Sequence, residues 1–376
     1  MEHIYREIRS HVEKRLFKGK AIIVYGPRQS GKTTMIKDLI KEHRDDTLWL
    51  NGDSPDIREL LEYVTVAKWK SIIGSKKIVV IDEAQRITNI GLSMKLITDE
   101  LPDIQLIATG SSAFELANRM NEPLTGRKFE FTLLPFSFSE LCAHSGLIEE
   151  KQSLHRRLLY GSYPEIVNSI GDEVPLLSML ANSYLYKDIL MLDGIKRPQI
   201  LDKLIRALAL QIGSEVSINE LSRLIGADNK TISKYIDLLE KSFVIFTLPA
   251  YSSNARVEIR RGRKIYFYDL GVRNAMIGNF LPLEARTDAG ALWENYLIVE
   301  RMKKQVNKPF PPKSYFWRNV EQREVDYLED SPDSLDAWEF KWNPKAKGKI
   351  PKAFTKAYPH AETAIVGPKN YDDFLL

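Results

Sequence analysis

The chain has 376 residues, 44% hydrophobic and 28% charged, which is typical of a soluble globular protein and predicts roughly two to four domains. A net charge of +4 is only mildly basic, so any nucleic-acid surface has to be a local patch. The single cysteine, Cys142, excludes a disulfide framework and a cysteine-based zinc cluster. Without a bilayer-length apolar run or an apolar signal core at the start, we expect a cytoplasmic protein with no membrane contact.

The first motif is a glycine-rich loop, GPRQSGKTT, which follows a predicted buried strand at 20–25 and precedes a helix. It matches G-x-x-x-x-G-K-[ST] in the strand–loop–helix context that phosphate binding requires. Glycines allow backbone N–H groups to surround phosphate oxygens, and the helix N-terminus adds positive potential. Lys32 is expected to reach the β- and γ-phosphates, and Thr33 to bind Mg²⁺. The predicted nucleotide-binding residues of the loop are Gly26, Pro27, Arg28, Gln29, Ser30, Gly31, Lys32, Thr33 and Thr34.

A second motif, KIVVIDE, predicts an apolar strand that ends in two carboxylates. Asp82 is expected to bind nucleotide-associated Mg²⁺, and Glu83 to polarise the attacking water as general base. A later strand, IQLIATGSS, ends in Ser111 and Ser112. Their hydroxyls either orient water near the γ-phosphate or belong to a polar loop.

These segments, together with LTGRKFEFTLLPFSFSEL, resemble AAA+ ATPases. The resemblance implies a P-loop ATPase core at 1–135 and a helical lid at 136–198, where GSYPEI is similar to a lid motif of the archaeal-type branch. It also implies an arginine finger that completes the ATP site of a neighbouring subunit, with Arg127 as first candidate and Arg119 as second. The working unit is then a self-associated ring such as a hexamer.

Residues 199–283 predict a winged helix-turn-helix, with two short helices joined by a tight turn and followed by two strands. Basic residues lie on the second helix and on the segment between the strands. This pattern favours DNA binding, although winged helices also serve as packing modules. The candidate DNA contacts are Lys230, Lys234, Arg256, Arg260, Arg261 and Arg263, with Lys264 on the same basic segment.

The last predicted domain, 284–376, contains the strand WEFKW, in which aromatic residues alternate with Glu339 and Lys341. A symmetric hairpin centred on EDSPDS places Asp326 directly opposite Glu339. Like charges at this position destabilise a sheet unless a cation lies between them. The residues at this position therefore suggest a divalent-cation site.

Asp followed by Glu-x-Lys on the next strand resembles the PD-(D/E)xK nuclease fold, although Val325 stands where that motif has proline. The resemblance implies Mg²⁺ binding by Asp326 and Glu339, water activation by Lys341, and a further acidic position at Glu294. Proteins of this fold either cut DNA or only bind it. Four lysines downstream could steer a phosphate backbone, namely Lys345, Lys347, Lys349 and Lys352.

The predicted fold class is α/β: a P-loop parallel-sheet ATPase domain with a helical lid, a winged helix-turn-helix and a C-terminal α/β restriction-endonuclease-like domain. The expected cofactors are ATP and Mg²⁺. The expected function is an oligomeric ATPase acting on double-stranded or branched DNA, as in Holliday-junction processing, recombination or repair. The alternative is a nucleotide-dependent switch in regulation or defence that uses the C-terminal domain as a binding module.

Overall fold

The computed structural model describes residues 3–111, 124–183, 197–252, 262–346 and 348–376. The chain forms two compact units. The first comprises Met1–Phe136 with Lys241–Phe243, and the second comprises Ser137–Glu240 with Val244–Leu376.

The first unit is built on a five-stranded sheet in the order β2-β3-β4-β1-β5, with every neighbouring pair parallel. Its strands are β1 Ala21–Tyr25, β2 Thr47–Asn51, β3 Ile78–Asp82, β4 Gln105–Gly110 and β5 Lys128–Thr132. All residues of β1, β3 and β4 are buried, as expected for strands with helices on both faces. The parallel α/β sheet predicted for the start of the chain is confirmed.

Helices of the first unit connect these strands. They are α1 Ile8–Glu13, α2 Lys32–Leu39, α3 Pro55–Glu62, α4 Val66–Ile73 and α5 Ile90–Glu100, with short 3₁₀ helices at Lys41–Asp46 and Ala84–Arg86. Apolar residues of α1 and α2 pack against β1, β3 and β4 in one buried cluster. Because the strands are parallel, β1, β3 and β4 all end at the same edge of the sheet, which brings the glycine-rich loop, Asp82 and Glu83, and Ser111 to that edge.

The second unit begins with helices and continues into a three-stranded antiparallel sheet in the order β6-β8-β7. The helices are α6 Phe138–Ser145, α7 Leu147–Gln152, α8 Leu154–Tyr160, α9 Pro164–Asn168, α10 Glu173–Ser183, α11 Pro198–Leu210, α12 Ile218–Ile225, α13 Asn229–Lys241 and α14 Leu270–Ile277. The strands are β6 Glu215–Val216, β7 Ile245–Pro249 and β8 Arg263–Phe267. Ser217 caps α12 by accepting a hydrogen bond from the Glu220 N–H at 3.4 Å, as its spacing predicts. Assignment of these elements to a winged helix stays a prediction.

The second unit ends in a four-stranded sheet in the order β12-β11-β10-β9. Its strands are β9 Lys313–Arg318, β10 Glu324–Asp330, β11 Leu335–Phe340 and β12 Glu362–Val366, accompanied by α15 Ala289–Gln305, α16 Lys352–Ala357, α17 Tyr371–Leu375 and a 3₁₀ helix at Leu283–Ala285. In the antiparallel pair β10–β11, Tyr327 lies opposite Trp338. The paired residues end there, and the same register continued by one residue corresponds to Asp326 opposite Glu339, as the turn predicts.

The two faces of this sheet are covered differently. Trp338 and Phe340 contact Phe374 of α17, with ring centroids 5.1 and 5.5 Å apart. On the other face Ala337 belongs to a buried cluster with Phe354 of α16. Trp338 and Phe340 therefore anchor β11 to α17, in agreement with the alternation in the sequence, whereas Trp342 lies beyond the strand and contacts Trp293.

No helix in the described part of the chain is both long enough and apolar enough to cross a bilayer.

Candidate functional site

The loop after β1 has a backbone that requires glycine at two positions. Gly26 has φ of +151°, and a Cβ atom there would lie 2.0 Å from the carbonyl oxygen of Leu133. Gly31 has φ of +93° and is the N-cap of α2. A residue with a side chain would be strained at either position, because L-residues rarely adopt these φ angles. The loop can therefore close tightly and present the first N–H groups of α2, which lack intrahelical partners.

Lys32 lies inside this loop and is buried. Its Nζ donates hydrogen bonds to the carbonyl oxygens of Gly26 at 2.8 Å and Pro27 at 2.7 Å. These two carbonyl groups hold the Lys32 ammonium inside the loop, next to the end of β1. This is the place at which a lysine can reach the phosphates of a nucleotide.

Thr33 and Asp82 are brought together across the sheet edge. The Thr33 hydroxyl donates to Asp82 Oδ2 at 3.0 Å. Thr109, on the intervening strand β4, donates to Asp82 Oδ1 at 2.5 Å and fixes the carboxylate from the other side. A hydroxyl and a carboxylate in contact match the oxygen ligands that Mg²⁺ takes beside nucleotide phosphates. Thr109 could not be identified from the sequence, because its contact with Asp82 depends on β4 lying beside β3 in the sheet.

Glu83 directly follows β3 and has φ of +51°, in the left-handed region. Its N–H donates to Thr109 Oγ1 at 3.1 Å, and its Oε2 accepts from Gln85 Nε2 at 2.6 Å. Gln85 also donates to the Ser111 hydroxyl at 2.9 Å. Gln85, which sequence reasoning did not single out, therefore connects the two predicted water-positioning side chains.

The remaining predicted loop residues differ in exposure. Gln29 and Thr34 are exposed, Arg28 is half-buried and Ser30 is buried. Among the described residues the Ser30 hydroxyl has no hydrogen-bond partner. An unsatisfied buried hydroxyl in a phosphate-type loop fits a group that a bound phosphate would satisfy. The donors present therefore fit a nucleoside triphosphate with Mg²⁺.

Arg6 holds the loop from the side that faces the protein interior. It is buried, donates to the carbonyl oxygens of Ser30 at 2.8 Å and Leu134 at 2.5 Å, and lies 4.7 Å from the Phe136 ring centroid. No motif in the sequence predicts this role, because the contacts span 24 and 128 positions.

Arg127 lies at the end of the sheet where the strands begin, whereas the loop lies at the end where they finish. It immediately precedes β5, and its carbonyl oxygen accepts from the N–H of Ala21, the first residue of β1. Its guanidinium donates to Asp99 at 2.5 Å and the side chain is 44% exposed. Arg127 therefore lies beside the start of β1, whereas the loop follows the end of this strand, about 15 Å further along at 3.3 Å per residue.

The second unit contains a cluster of carboxylates between its two sheets. Carboxylate oxygens of Glu294 on α15 and of Glu324 and Asp326 on β10 all lie within 4.8 Å of one another. Asp326 is placed by a register shift in the β9–β10 pairing between Val325 and Leu328, and its Oδ2 accepts from the Phe340 N–H at 2.7 Å. Bulges of this kind re-aim side chains and are frequent beside functional sites.

Glu339 and Lys341, predicted from the Glu-x-Lys pattern, form an ion pair next to this cluster, with Lys341 Nζ on Glu339 Oε1. Glu339 Oε2 is buried and has no hydrogen-bond partner among the described residues. Burial and the charges of Glu294 and Glu339 raise the pKa of Asp326 well above its ordinary value. Burial also raises the pKa of Glu339, although its bond to Lys341 opposes this. An orphaned buried oxygen beside crowded carboxylates fits a cation-binding site.

Lys264 corrects one expectation. The sequence placed it on the basic segment of the predicted wing, but its side chain is only 2% exposed and its Nζ contacts Glu294 and Glu324. It is therefore unavailable to DNA in this structure, because it is buried and two half-buried carboxylates hold it. Three further residues of the cluster were missed in the sequence: Glu324, Tyr266 and Arg318. Glu324 could have been found, since it alternates with Asp326 on the same strand.

The candidate DNA contacts are only partly described. Lys230 and Lys234 on α13 and Arg263 at the start of β8 are exposed. Arg256, Arg260 and Arg261 lie outside the described residues, as do Ser112, Arg119 and Lys347.

Comparison with known proteins adds three family matches. Residues 18–142 match the model described as an AAA domain. Residues 151–282 and 289–374 match two models described as domains of unknown function, DUF8612 and DUF4143. The AAA match supports a P-loop ATPase for the first unit. The other two assign no activity, so the winged-helix and nuclease-like assignments stay predictions.

Similar proteins extend along most of the chain. An uncharacterized protein of Haemophilus influenzae is 25% identical over 343 residues, covering 83% of this chain and 80% of its own length. Another, of Methanocaldococcus jannaschii, is 23% identical over 344 residues, covering 85% and 74%. Among solved structures, a Walker-type ATPase of Pyrococcus abyssi aligns with a TM-score of 0.51 at 15% identity, over 73% of this chain and 96% of that one. This likeness supports the P-loop ATPase fold.

Proposed function

We propose that this protein is a Mg²⁺-dependent ATPase that acts on DNA. The observation that supports the ATPase most directly is the contact between Thr33 and Asp82 beside the buried ammonium of Lys32. One hydroxyl, one carboxylate and one cation then lie at the start of α2, where the glycine-rich loop ends. This combination matches what a nucleoside triphosphate with Mg²⁺ needs.

In this proposal each side chain has one task. Lys32 binds the terminal phosphates, while Thr33 and Asp82 hold Mg²⁺, which when bound neutralises phosphate charge. Glu83 accepts a proton from the attacking water. Gln85, which contacts both Glu83 and Ser111, holds them in position.

Arg127 supports a self-associated working unit such as a ring. Its position beside the start of β1, away from the loop, favours action on a neighbour's nucleotide over its own, and its 44% exposed side chain is accessible to a neighbour. An arginine supplied in trans stabilises charge in the transition state of phosphoryl transfer. The present bond to Asp99 would have to open for this.

DNA contact is supported by exposed cations in the second unit. Lys230 and Lys234 are four residues apart on α13 and therefore lie on one helix face. Arg263 adds a further exposed charge. Contacts of this kind bind phosphates rather than bases, so we propose affinity for duplex or branched DNA without sequence preference.

The four-stranded sheet is proposed as a nuclease-like DNA-binding domain. Asp326 and Glu339 would hold a divalent cation, which when bound polarises the scissile phosphate, and Lys341 would position water. The register that opposes Asp326 to Glu339 and the orphaned Glu339 oxygen support this assignment.

The test measures ATP hydrolysis by the full chain alone and with single-stranded, duplex or four-way-junction DNA. We expect stimulation by at least one DNA form. The Glu83→Gln variant should keep ATP bound and show the tightest DNA binding, and Lys230→Gln with Lys234→Gln should weaken that binding and reduce its salt dependence. Hydrolysis that no DNA changes would contradict the DNA assignment. Tight nucleotide binding with slow turnover would then favour a regulatory switch.

A further inference from the structure

We propose that Lys264 is the resident cation of the carboxylate cluster, and that a divalent metal ion enters only when the Lys264 ammonium leaves. This proposal rests on the metal role proposed above for the C-terminal domain. Lys264 belongs to the three-stranded sheet, and its position decides whether a metal ion can reach the carboxylates of the four-stranded sheet.

The ammonium occupies the position that a metal ion would need. Lys264 Nζ lies 2.9 Å from Glu294 Oε1 and also contacts Glu324 Oε1. These two carboxylates and Asp326 make up the group whose oxygens lie within 4.8 Å of one another. A lysine that contacts two of three potential ligands sits among them, and a dication placed there would meet its positive charge at short range.

Oxygens of two of the three carboxylates that a metal would bind already accept hydrogen bonds. Glu294 Oε1 accepts from both Lys264 and the Tyr266 hydroxyl, the latter at 2.5 Å. Glu324 gives one oxygen to Lys264 and the other to Arg318, whose Nε lies 2.6 Å away. Metal binding would therefore have to break several charge-assisted hydrogen bonds, which are stronger than neutral ones.

Positive side chains offset part of the negative charge around the cluster. Four carboxylates lie close together here, on Glu294, Glu324, Asp326 and Glu339. Lys264 and Lys341 each pair with members of this group, and Arg318 divides its charge between Glu324 and Glu215. Removal of Lys264 would take away the ammonium that contacts two of the carboxylates and leave a more strongly anionic site.

The fold keeps Lys264 in this position. It lies on the central strand of the three-stranded sheet, paired with Glu215 on one side and Leu248 on the other. Three residues along, the backbone N–H and carbonyl of Phe267 both bond to the side-chain amide of Asn295, at 2.7 and 2.9 Å. Asn295 directly follows Glu294 on α15. The Asn295 side chain therefore ties α15 to β8 close to the contact between Lys264 and Glu294, and a separation of α15 from β8 is what would free the cluster.

The experiment uses the full-length protein without nucleotide and compares wild type, Lys264→Met and Lys264→Met with Asp326→Asn. Mn²⁺ binding is measured by titration calorimetry, and thermal unfolding is measured in EDTA and in millimolar Mn²⁺. Wild type should show no Mn²⁺ binding that depends on Asp326 and no Mn²⁺-dependent shift. Lys264→Met should melt lower in EDTA, recover in Mn²⁺ and bind Mn²⁺ at least tenfold more tightly than wild type. The double variant should lose that gain.

Two results would overturn the proposal. If wild type binds a Mn²⁺ ion that the Asp326→Asn single variant does not bind, Lys264 is not the resident cation, although the proposed metal site stands. If folded Lys264→Met binds no Mn²⁺, the cluster is not a latent cation site. The wild-type and Asp326→Asn comparison keeps the test decisive even where Lys264→Met does not fold. ATP hydrolysis, measured separately, reports on the proposed ATPase independently of either result.

Discussion

Replacing Arg6 with methionine tests whether the phosphate loop depends on support from outside its own motif. The change removes two hydrogen bonds from a charged donor, to Ser30 at 2.8 Å and Leu134 at 2.5 Å. Each such bond contributes about 1.5–3 kcal/mol, and partial replacement by water reduces the sum to about 2–4 kcal/mol. Since methionine keeps most of the apolar volume, the loss reports mainly on the two carbonyl groups left without a donor.

The expected result is a fall of about 8–15 °C in the unfolding temperature of the first unit. A several-fold rise in the Kd for ATP should accompany it, because the Ser30 carbonyl belongs to the loop. Differential scanning calorimetry and fluorescent-nucleotide binding measure the two effects. Arg6→Lys serves as the matched control and should recover part of both, since it keeps one charged donor. An Arg6→Met protein that melts and binds ATP as the wild type does would refute this account of the loop.

Three further predictions concern single positions. Gly26→Ala places a Cβ 2.0 Å from the Leu133 carbonyl oxygen, so calorimetry should show a loss of at least about 1–3 kcal/mol and nucleotide binding should fail. Arg127→Ala should reduce kcat by about 10³-fold or more at unchanged Kd for ATP, and mixing with Lys32→Ala subunits should restore part of the activity if the finger acts in trans. Asp326→Asn should increase stability above neutral pH and lose this gain towards about pH 4, measured by denaturant unfolding across pH. The sign follows because burial and the charges of Glu294 and Glu339 raise the pKa of Asp326, so the stability contributed by its protonated form is lost as pH rises through that value.

The geometry of the candidate nucleotide site could be predicted from the sequence because its pattern is local. Gly26, Gly31 and Lys32 stand close together, and their roles depend on backbone geometry that the spacing itself defines. Asp82 could be added because a buried apolar strand has few polar positions at its end. Thr109 and Arg6 could not be predicted, because each reaches the site from an element whose placement depends on the strand order and not on any local pattern.

The C-terminal register was predictable for a similar reason. A tight turn with Pro332 and Asp333 near its centre fixes which residues of β10 and β11 oppose each other, and the structure has this register. The misplaced residue was Lys264, whose neighbours in the sequence are basic and suggest a solvent-exposed wing. Its partners are 30 and 60 positions away, so only the docking of α15 and β10 against β8 determines its surroundings.

The position of Lys264 is better explained by charge chemistry than by packing. A buried ion pair contributes little net stability, because desolvation offsets much of the attraction, and apolar residues of similar size would serve a purely structural junction at least as well. Here the Lys264 ammonium contacts two carboxylates, and the nearby Glu339 carboxylate has an oxygen without a partner among the described residues. Adjacent carboxylates are a liability unless a cation accompanies them. The sequence suggested that Asp326 and Glu339 need a nearby cation, and Lys264 of the protein itself supplies part of that positive charge. If α15 separated from β8, the carboxylates would become available to metal ions from solvent.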